Sequence, residues 1–236
     1  MPTDLQKNID WYKTYSKNTG GAYRNSLINP ENFYQVFARD IAFYKVLNFI
    51  DLRKIKTLKV LDVGCGDGNG TIKFIQLGFL PSNVYGIELI KERLEKAKNQ
   101  YPNLNFMIND ASNLEFESNS FDLVNESTMF IHSIDKVESD EIAKEMIRVT
   151  KKNKYIILQD WRYSKPWNHN YNGLSKSRIK EIFSVGVLTE LICQRNGALI
   201  PPLGRRISRY FPYLYFIISA LFPFLVGGNV TLLRKL

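Results

Sequence analysis

Twelve residues from Val60 to Thr71, reading VLDVGCGDGNGT, carry the densest chemical signal in the chain. Gly64, Gly66 and Gly68 alternate with other residues behind a short apolar run. A turn built on them can pass close beneath a ligand, because a side chain there would occupy the ligand's space. The pattern is not the G-x-G-x-x-G of a dinucleotide loop, whose third glycine would fall on Asn69. Asp62 precedes the first glycine by two positions and places an acid at the end of the run, where a positive or amino-bearing group can be held.

Two further acids end apolar runs. Glu88 closes NVYGIE, about 20 residues past the loop, where a carboxylate can accept hydrogen bonds from both hydroxyls of a ribose. The plain alternative is a surface acid opening the next helix, near the positive end of its dipole. Asp110 follows NFMI in Asp110-Ala111-Ser112, and an Asx turn is the plain alternative there. After FDLV comes Asn125-Glu126-Ser127-Thr128-Met129-Phe130, and His132 follows shortly.

Strands alternating with helices must position these residues. Thr57 to Val63, Asn83 to Glu88, Asn105 to Ile108, Phe121 to Asn125 and Tyr155 to Gln159 read as strands. Helices are expected at Thr71 to Leu77, around Ile90 to Tyr101, and around Ile142 to Val149. Such alternation implies parallel crossovers in an open doubly wound sheet, which binds ligands at the carboxyl ends of its strands. Upstream, Phe33, Val36, Phe37, Ile41, Tyr44 and Leu47 recur at helical spacing over Glu31 to Ile50 and define one expected buried face. Downstream, a helix near Ser175 to Val185 and a strand near Val187 to Arg195 precede an apolar segment, Tyr210 to Val226. That segment has 17 residues, no charge, and Pro212 and Pro223 inside it. A spanning helix needs about 20 apolar residues. Asn229 to Lys235 reads as a terminal strand that must rejoin the sheet. A buried or lid helix is therefore expected for Tyr210 to Val226, with a peripheral membrane anchor as the competing picture.

At 236 residues, without repeats or a Gly/Ser/Pro-rich linker, the expectation is a single domain over 1–236. Residues 1–50 form its N-terminal helical cap and 161–228 an acceptor-side lid region. The net charge of +9 favours acidic partners, although scattered lysines can equally decorate a solvated surface. With only Cys65 and Cys193, far apart in the chain, neither a disulfide framework nor a four-ligand zinc site is expected, and no metal is expected. The first residues lack the apolar core of a signal peptide, so a cytoplasmic location is expected.

D-x-G-x-G-x-G after an apolar strand resembles motif I of the class I S-adenosylmethionine-dependent methyltransferases. The chain is further similar to a small bacterial group of them found with surface-polysaccharide genes. That likeness rests on Tyr23-Arg24, Arg39, AKEMIRV at Ala143–Val149, Asp160-Trp161-Arg162 and ALIPPLGRR at Ala198–Arg206. Lys152-Asn153 departs from that group's Pro-Gly turn before the fifth strand. The resemblance implies a Rossmann-like sheet of seven mostly parallel strands with an antiparallel terminal strand, and S-adenosylmethionine as cofactor. It places the cofactor against Asp62, Gly64, Cys65, Gly66, Gly68, Glu88, Leu89, Asp110, Ala111, Ser112, Glu126, Ser127 and Arg39. Asp110 would meet the adenine amino group, and residues 125–130 would line the methionine end.

For a hydroxyl acceptor, His132 is the expected base, since an unperturbed imidazole titrates near ~6.5. Asp160 and Glu126 are the alternatives. Arg24, Trp161, Arg162, Arg205 and Arg206 are expected to hold a small or sugar-type acceptor, with phosphate as the anionic group. Base-amino methyltransferases carry N-P-P-[YF] where this chain has Asn125-Glu126-Ser127, which argues against nucleic acid as partner. An RNA methyltransferase and a non-catalytic cofactor-binding subunit are the competing expectations.

Overall fold

The computed structural model describes residues 21–132, 135–164 and 171–236. Their packing divides into two compact units, Met1–Lys45 with Arg195–Val230, and Val46–Gln194 with Thr231–Leu236.

A seven-stranded sheet organises the fold. Its strands are β1 (Val60–Val63), β2 (Val84–Glu88), β3 (Asn105–Ile108), β4 (Phe121–Ser127), β5 (Thr150–Trp161), β6 (Thr189–Asn196) and β7 (Gly228–Lys235). Their order is β3-β2-β1-β4-β5-β7-β6, and β1 through β5 pair in parallel. β7 runs against its neighbours. Lys235 at its end reaches the Thr150 carbonyl at the start of β5, and Leu236 N–H donates to Leu188 O before β6. Chain order therefore reverses at β1, which lies between β2 and β4, and the carboxyl ends of those strands are where such a sheet takes its ligand.

The central strands are apolar because helices cover both their faces. All four residues of β1 are buried. In chain order the helices are α1 (Gly21–Asn25), α2 (Pro30–Leu47), α3 (Ile72–Leu77), α4 (Lys91–Gln100), α5 (Lys136–Val149), α6 (Lys176–Ile182), α7 (Pro201–Tyr210) and α8 (Tyr215–Leu221). α5 starts where the Asp135 carboxylate accepts from Val137 N–H, and it buries Ile142, Ala143, Met146 and Ile147 at helical spacing. Those side chains join Leu61, Val124, Phe130 and Ile156 in the main core. Arg148 on the same helix pairs with Glu145 and donates to the Leu114 and Phe116 carbonyls, fixing the connection between β3 and β4. β5 begins five residues before the expected Tyr155, and Asn153 within it takes a left-handed φ of 60°. Asparagine tolerates that conformation, so Lys152-Asn153 bends the chain without a glycine.

Two expectations for the first unit are corrected. The buried residues of α2 are Asn32, Gln35, Ala38, Ala42, Phe43, Val46 and Leu47, so the expected Leu47 is inside, whereas Phe33, Phe37 and Tyr44 face outward. The helix carries apolar residues on two faces, and the face with alanines can approach its neighbours more closely. Nor is Tyr210 to Val226 one buried helix. Pro212 and Pro223 divide it into a 3-10 turn (Pro212–Leu214), α8, and a second 3-10 turn (Pro223–Leu225). Tyr215 alone among its aromatics is fully buried, beside Ala38, Leu199, Ile207 and Val226.

The Tyr215 hydroxyl donates to Gln35 Oε1 at 2.6 Å and accepts from Leu199 N–H at 3.0 Å. Tyr215→Phe removes both partners at once and leaves a buried amide unsatisfied. A loss of about 1–3 kcal/mol is expected, read as a lower urea midpoint; an unchanged midpoint would contradict this account.

Candidate functional site

A buried chain of polar side chains crosses the carboxyl ends of three strands. The Thr71 hydroxyl donates to Asp62 Oδ2 at 2.6 Å, Asn125 Nδ2 donates to Asp62 Oδ1 at 2.7 Å, and Gln159 Nε2 donates to Asn125 Oδ1 at 2.8 Å. Thr71 opens α3, while Asp62, Asn125 and Gln159 belong to β1, β4 and β5. Burial pushes the Asp62 carboxyl up to about 6, against the two donors, which lower it.

The turn after β1 takes left-handed φ at Gly64 (70°), Gly66 (58°) and Gly68 (80°). Their roles differ. A side chain at Gly68 would strike Tyr101, Phe106 and Ala97, so this glycine is required by close packing against these side chains, and only its backbone can meet a ligand. At Gly66 a Cβ would meet the Arg93 guanidinium, and at Gly64 it would touch Met129. Cys65 points into the core with Leu94, Ala97 and Phe106, and burial raises its thiol; only its backbone remains for a ligand.

Glu88 ends β2 beneath that turn. Its Oε2 accepts from Gly66 N–H at 3.0 Å and its Oε1 from Leu89 and Ile90 N–H, both at 2.9 Å. Arg93 reaches Glu88 Oε2 at 3.4 Å and Asp67 Oδ1 at 3.2 Å. One carboxylate thus ties the glycine turn to the start of α4, and the half-buried Arg93 bridges it to Asp67.

Past β3, Asp110 Oδ1 accepts from the backbone and hydroxyl of Ser112, at 2.9 and 2.8 Å. This is an Asx-type turn around Ala111, and it leaves Asp110 exposed with its other oxygen available for a ligand. Beside it lies Asn109, buried, with neither polar atom of its side-chain amide paired among the described residues. An unpaired buried amide costs about 1–3 kcal/mol, which a polar ligand reaching it recovers. These features fit S-adenosylmethionine: left-handed glycines, acids at three successive strand ends, and an orphaned amide at the third.

The turn after β4 is pinned at several points. Glu126, fully buried, accepts from Met129 N–H and Gln159 N–H at 3.1 Å each. Asp160 accepts from Ile131 N–H at 2.9 Å and Trp161 N–H at 2.7 Å. Burial, then the charge of Asp160, holds the Glu126 carboxyl well above the usual range. Arg178 supplies opposing charge to both and donates to the Phe130 and Asn172 carbonyls. Thr128 sits in the turn at φ 59°, and Ser127 precedes it half-buried. His132 ends the turn, half-buried and edge-on to Tyr171 at 5.8 Å. Trp161, the last residue of β5, is half-buried, and the Arg162 guanidinium lies 4.9 Å from the Tyr163 ring. Gly173 lets this segment close, since a Cβ there would fall within 2.7 Å of the backbone at Arg162, Tyr163 and Ser164.

The remaining expected residues belong to the first unit. Arg39 is half-buried beside Gly197. Arg205 donates to Arg24 O at 3.0 Å and Asn25 Oδ1 at 3.2 Å, while Arg206 is exposed. Sequence reasoning missed Thr71, Arg93, Asn109, Gln159 and Arg178. Only Gln159 and Asn109 carried a signal, as polar residues closing apolar runs.

Residues 54–194 match a family described as "Methyltransferase domain". The chain is 32% identical over 142 residues to an uncharacterized methyltransferase of Schizosaccharomyces pombe, covering 52% of this chain and 49% of that one. It is 35% identical over 106 residues to 2-methyl-6-phytyl-1,4-hydroquinone methyltransferase of Synechocystis, covering 43% and 31%. The match thus spans half or less of these relatives' own length. Among solved structures, a SAM-dependent methyltransferase from Methanosarcina mazei superposes with a TM-score of 0.58 at 20% identity, over 81% of this chain and 97% of that one. The fold is Rossmann-like.

Glu88→Gln is expected to weaken S-adenosylmethionine binding by about 1–3 kcal/mol in calorimetry, as a buried hydrogen-bond acceptor is lost. Unaltered affinity would remove Glu88 from the ligand. Asp62 generates a pH dependence. Its folded carboxyl keeps the proton to about pH 6, whereas the unfolded one releases it near ~4. Across that window the native state binds the extra proton, so stability falls as pH rises, by on the order of 3 kcal/mol. Urea midpoints between those pH values should show the fall, and Asp62→Asn should flatten it; identical slopes would refute the assignment.

Proposed function

Because the chain belongs to this methyltransferase-domain family, we propose that it transfers a methyl group from S-adenosylmethionine to an oxygen of a small acceptor carrying an anionic group. A nucleotide-linked sugar or a phosphate-bearing glycan precursor is the acceptor class. The observation that carries the reading is the pinned turn after β4, which ends on a half-buried histidine rather than on a free carboxylate.

When bound, the cofactor supplies a methyl group already activated on its sulfonium. The chain's own task is to align the acceptor, exclude water and accept a proton. Glu126 and Asp160 are poorly placed for the last of these. Both are buried and already hold backbone amides, so each acts as a positioning residue for the turn. His132 has the residue type and exposure to take the acceptor's hydroxyl proton. Trp161 and Arg162 are assigned to the acceptor, the guanidinium to its anionic group.

A second reading is methylation of a hydroquinone ring, as the name of the Synechocystis relative states for that protein. The two readings separate in a screen for labelled methyl uptake, with nucleotide sugars and sugar phosphates in one arm and prenylated hydroquinones in the other. His132→Ala is expected to lower turnover about 10²–10⁴-fold while sparing cofactor binding in calorimetry. Undiminished turnover in that variant would remove histidine from the proton transfer.

A further inference from the structure

We infer that the first unit carries a docking surface for a bilayer with anionic headgroups. Pro201 to Val226 contains three arginines and no acidic residue. Tyr215 and Ile207 anchor the segment inside, yet Phe211, Tyr213, Leu221 and Phe224 are 60–89% exposed. α2 adds the outward stripe of Phe33, Phe37 and Tyr44. The two sets are joined: Phe33 stacks on Phe37 at 5.8 Å and meets Tyr34 at 5.3 Å, and Tyr34 meets Phe216 at 6.0 Å. A soluble monomer seldom leaves so large an apolar face to water.

Charge identifies the occupant. Arg24, Arg205 and Arg209 line a cleft of about 590 Å³, together with Tyr23 and Asn29. Its acid, Glu31, is already paired with Arg209 at 2.7 Å. The Arg209 guanidinium lies 5.2 Å from the Tyr210 ring, so the basic cleft adjoins the aromatic segment. A second copy docking through the same face would set these arginines against themselves, because a two-fold interface meets its own patch. An anionic bilayer matches both halves of the surface. Its phosphates are drawn by the excess positive charge of the arginines, three on the cleft against one acid, and its headgroup–acyl boundary takes the aromatic rings. Among the described residues no helix is long and apolar enough to cross a membrane, so the contact is peripheral.

The test is sedimentation of the full chain with vesicles of phosphatidylcholine alone or mixed with phosphatidylglycerol, at low and physiological salt. Binding to the anionic vesicles is expected to exceed binding to neutral ones by about tenfold or more and to weaken with salt. Arg206→Glu should reduce this preference. The triple variant Phe211→Ser, Tyr213→Ser, Phe224→Ser should lose binding to the anionic vesicles by about tenfold or more. Its thermal midpoint and its affinity for S-adenosylmethionine should stay at the parent's values. A parent chain left in the supernatant with anionic vesicles at low salt would overturn the proposal. So would a triple variant that binds like the parent. Concentration-dependent self-association of the parent, abolished in the triple variant and without vesicle binding, would assign the face to a second copy instead.

Discussion

The carboxylate of Asp62 is the point on which the site depends. It lies at the end of the first strand with almost no access to water, and two neighbours commit a donor to it. Burying an unpaired carboxylate would be far costlier than any gain from ligand binding. Its partners are therefore drawn from the elements that must stay aligned: the start of α3 and the neighbouring strand β4. Backbone pairing alone permits small shearing between strands, but a side-chain hydrogen bond at their carboxyl ends resists it. The glycine turn leaves from the same place, and its second anchor is another buried carboxylate, Glu88, which gathers three backbone amides.

The same device recurs on the far side of the switch point. Glu126 and Asp160 each gather two backbone amides, and Arg178 offsets their charge. Both acids are pegs of the turns, each committed to backbone amides. This arrangement follows from desolvation. A carboxylate deep at a strand end has no water to solvate it, so it must find amides, and those amides belong to the loops that the chemistry needs held still.

Much of this was legible in the sequence, for a reason that can be stated residue by residue. The strands β1, β2 and β3 are short apolar runs bounded by turn residues, so periodicity and length locate them to within a few positions. The acids that end them follow from the pattern as well. What the sequence did not disclose is where each side chain points. Gly64, Gly66 and Gly68 are identical letters, yet one of them faces Tyr101 and Phe106. In α2 two apolar faces compete at the same helical period, and the chain buries the one carrying Ala38 and Ala42 while Phe33 and Phe37 remain outside. Period alone cannot choose between them, because the choice depends on how closely a neighbouring element can approach. Arg178 and Gly173 lie outside any motif, and their meaning is set only by the backbone that closes around them.

The amide chain that leaves Asp62 has a direction. A carboxylate can only accept, so Asn125 must turn its NH₂ toward it and its carbonyl away, and Gln159 must answer with its own NH₂. One buried charge therefore sets the orientation of two amides that are otherwise symmetric in shape. The order of donors and acceptors thus runs from the first strand through β4 to Gln159 near the end of β5. Loss of charge at Asp62 would remove the constraint that fixes this order, and both amides would be free to turn over.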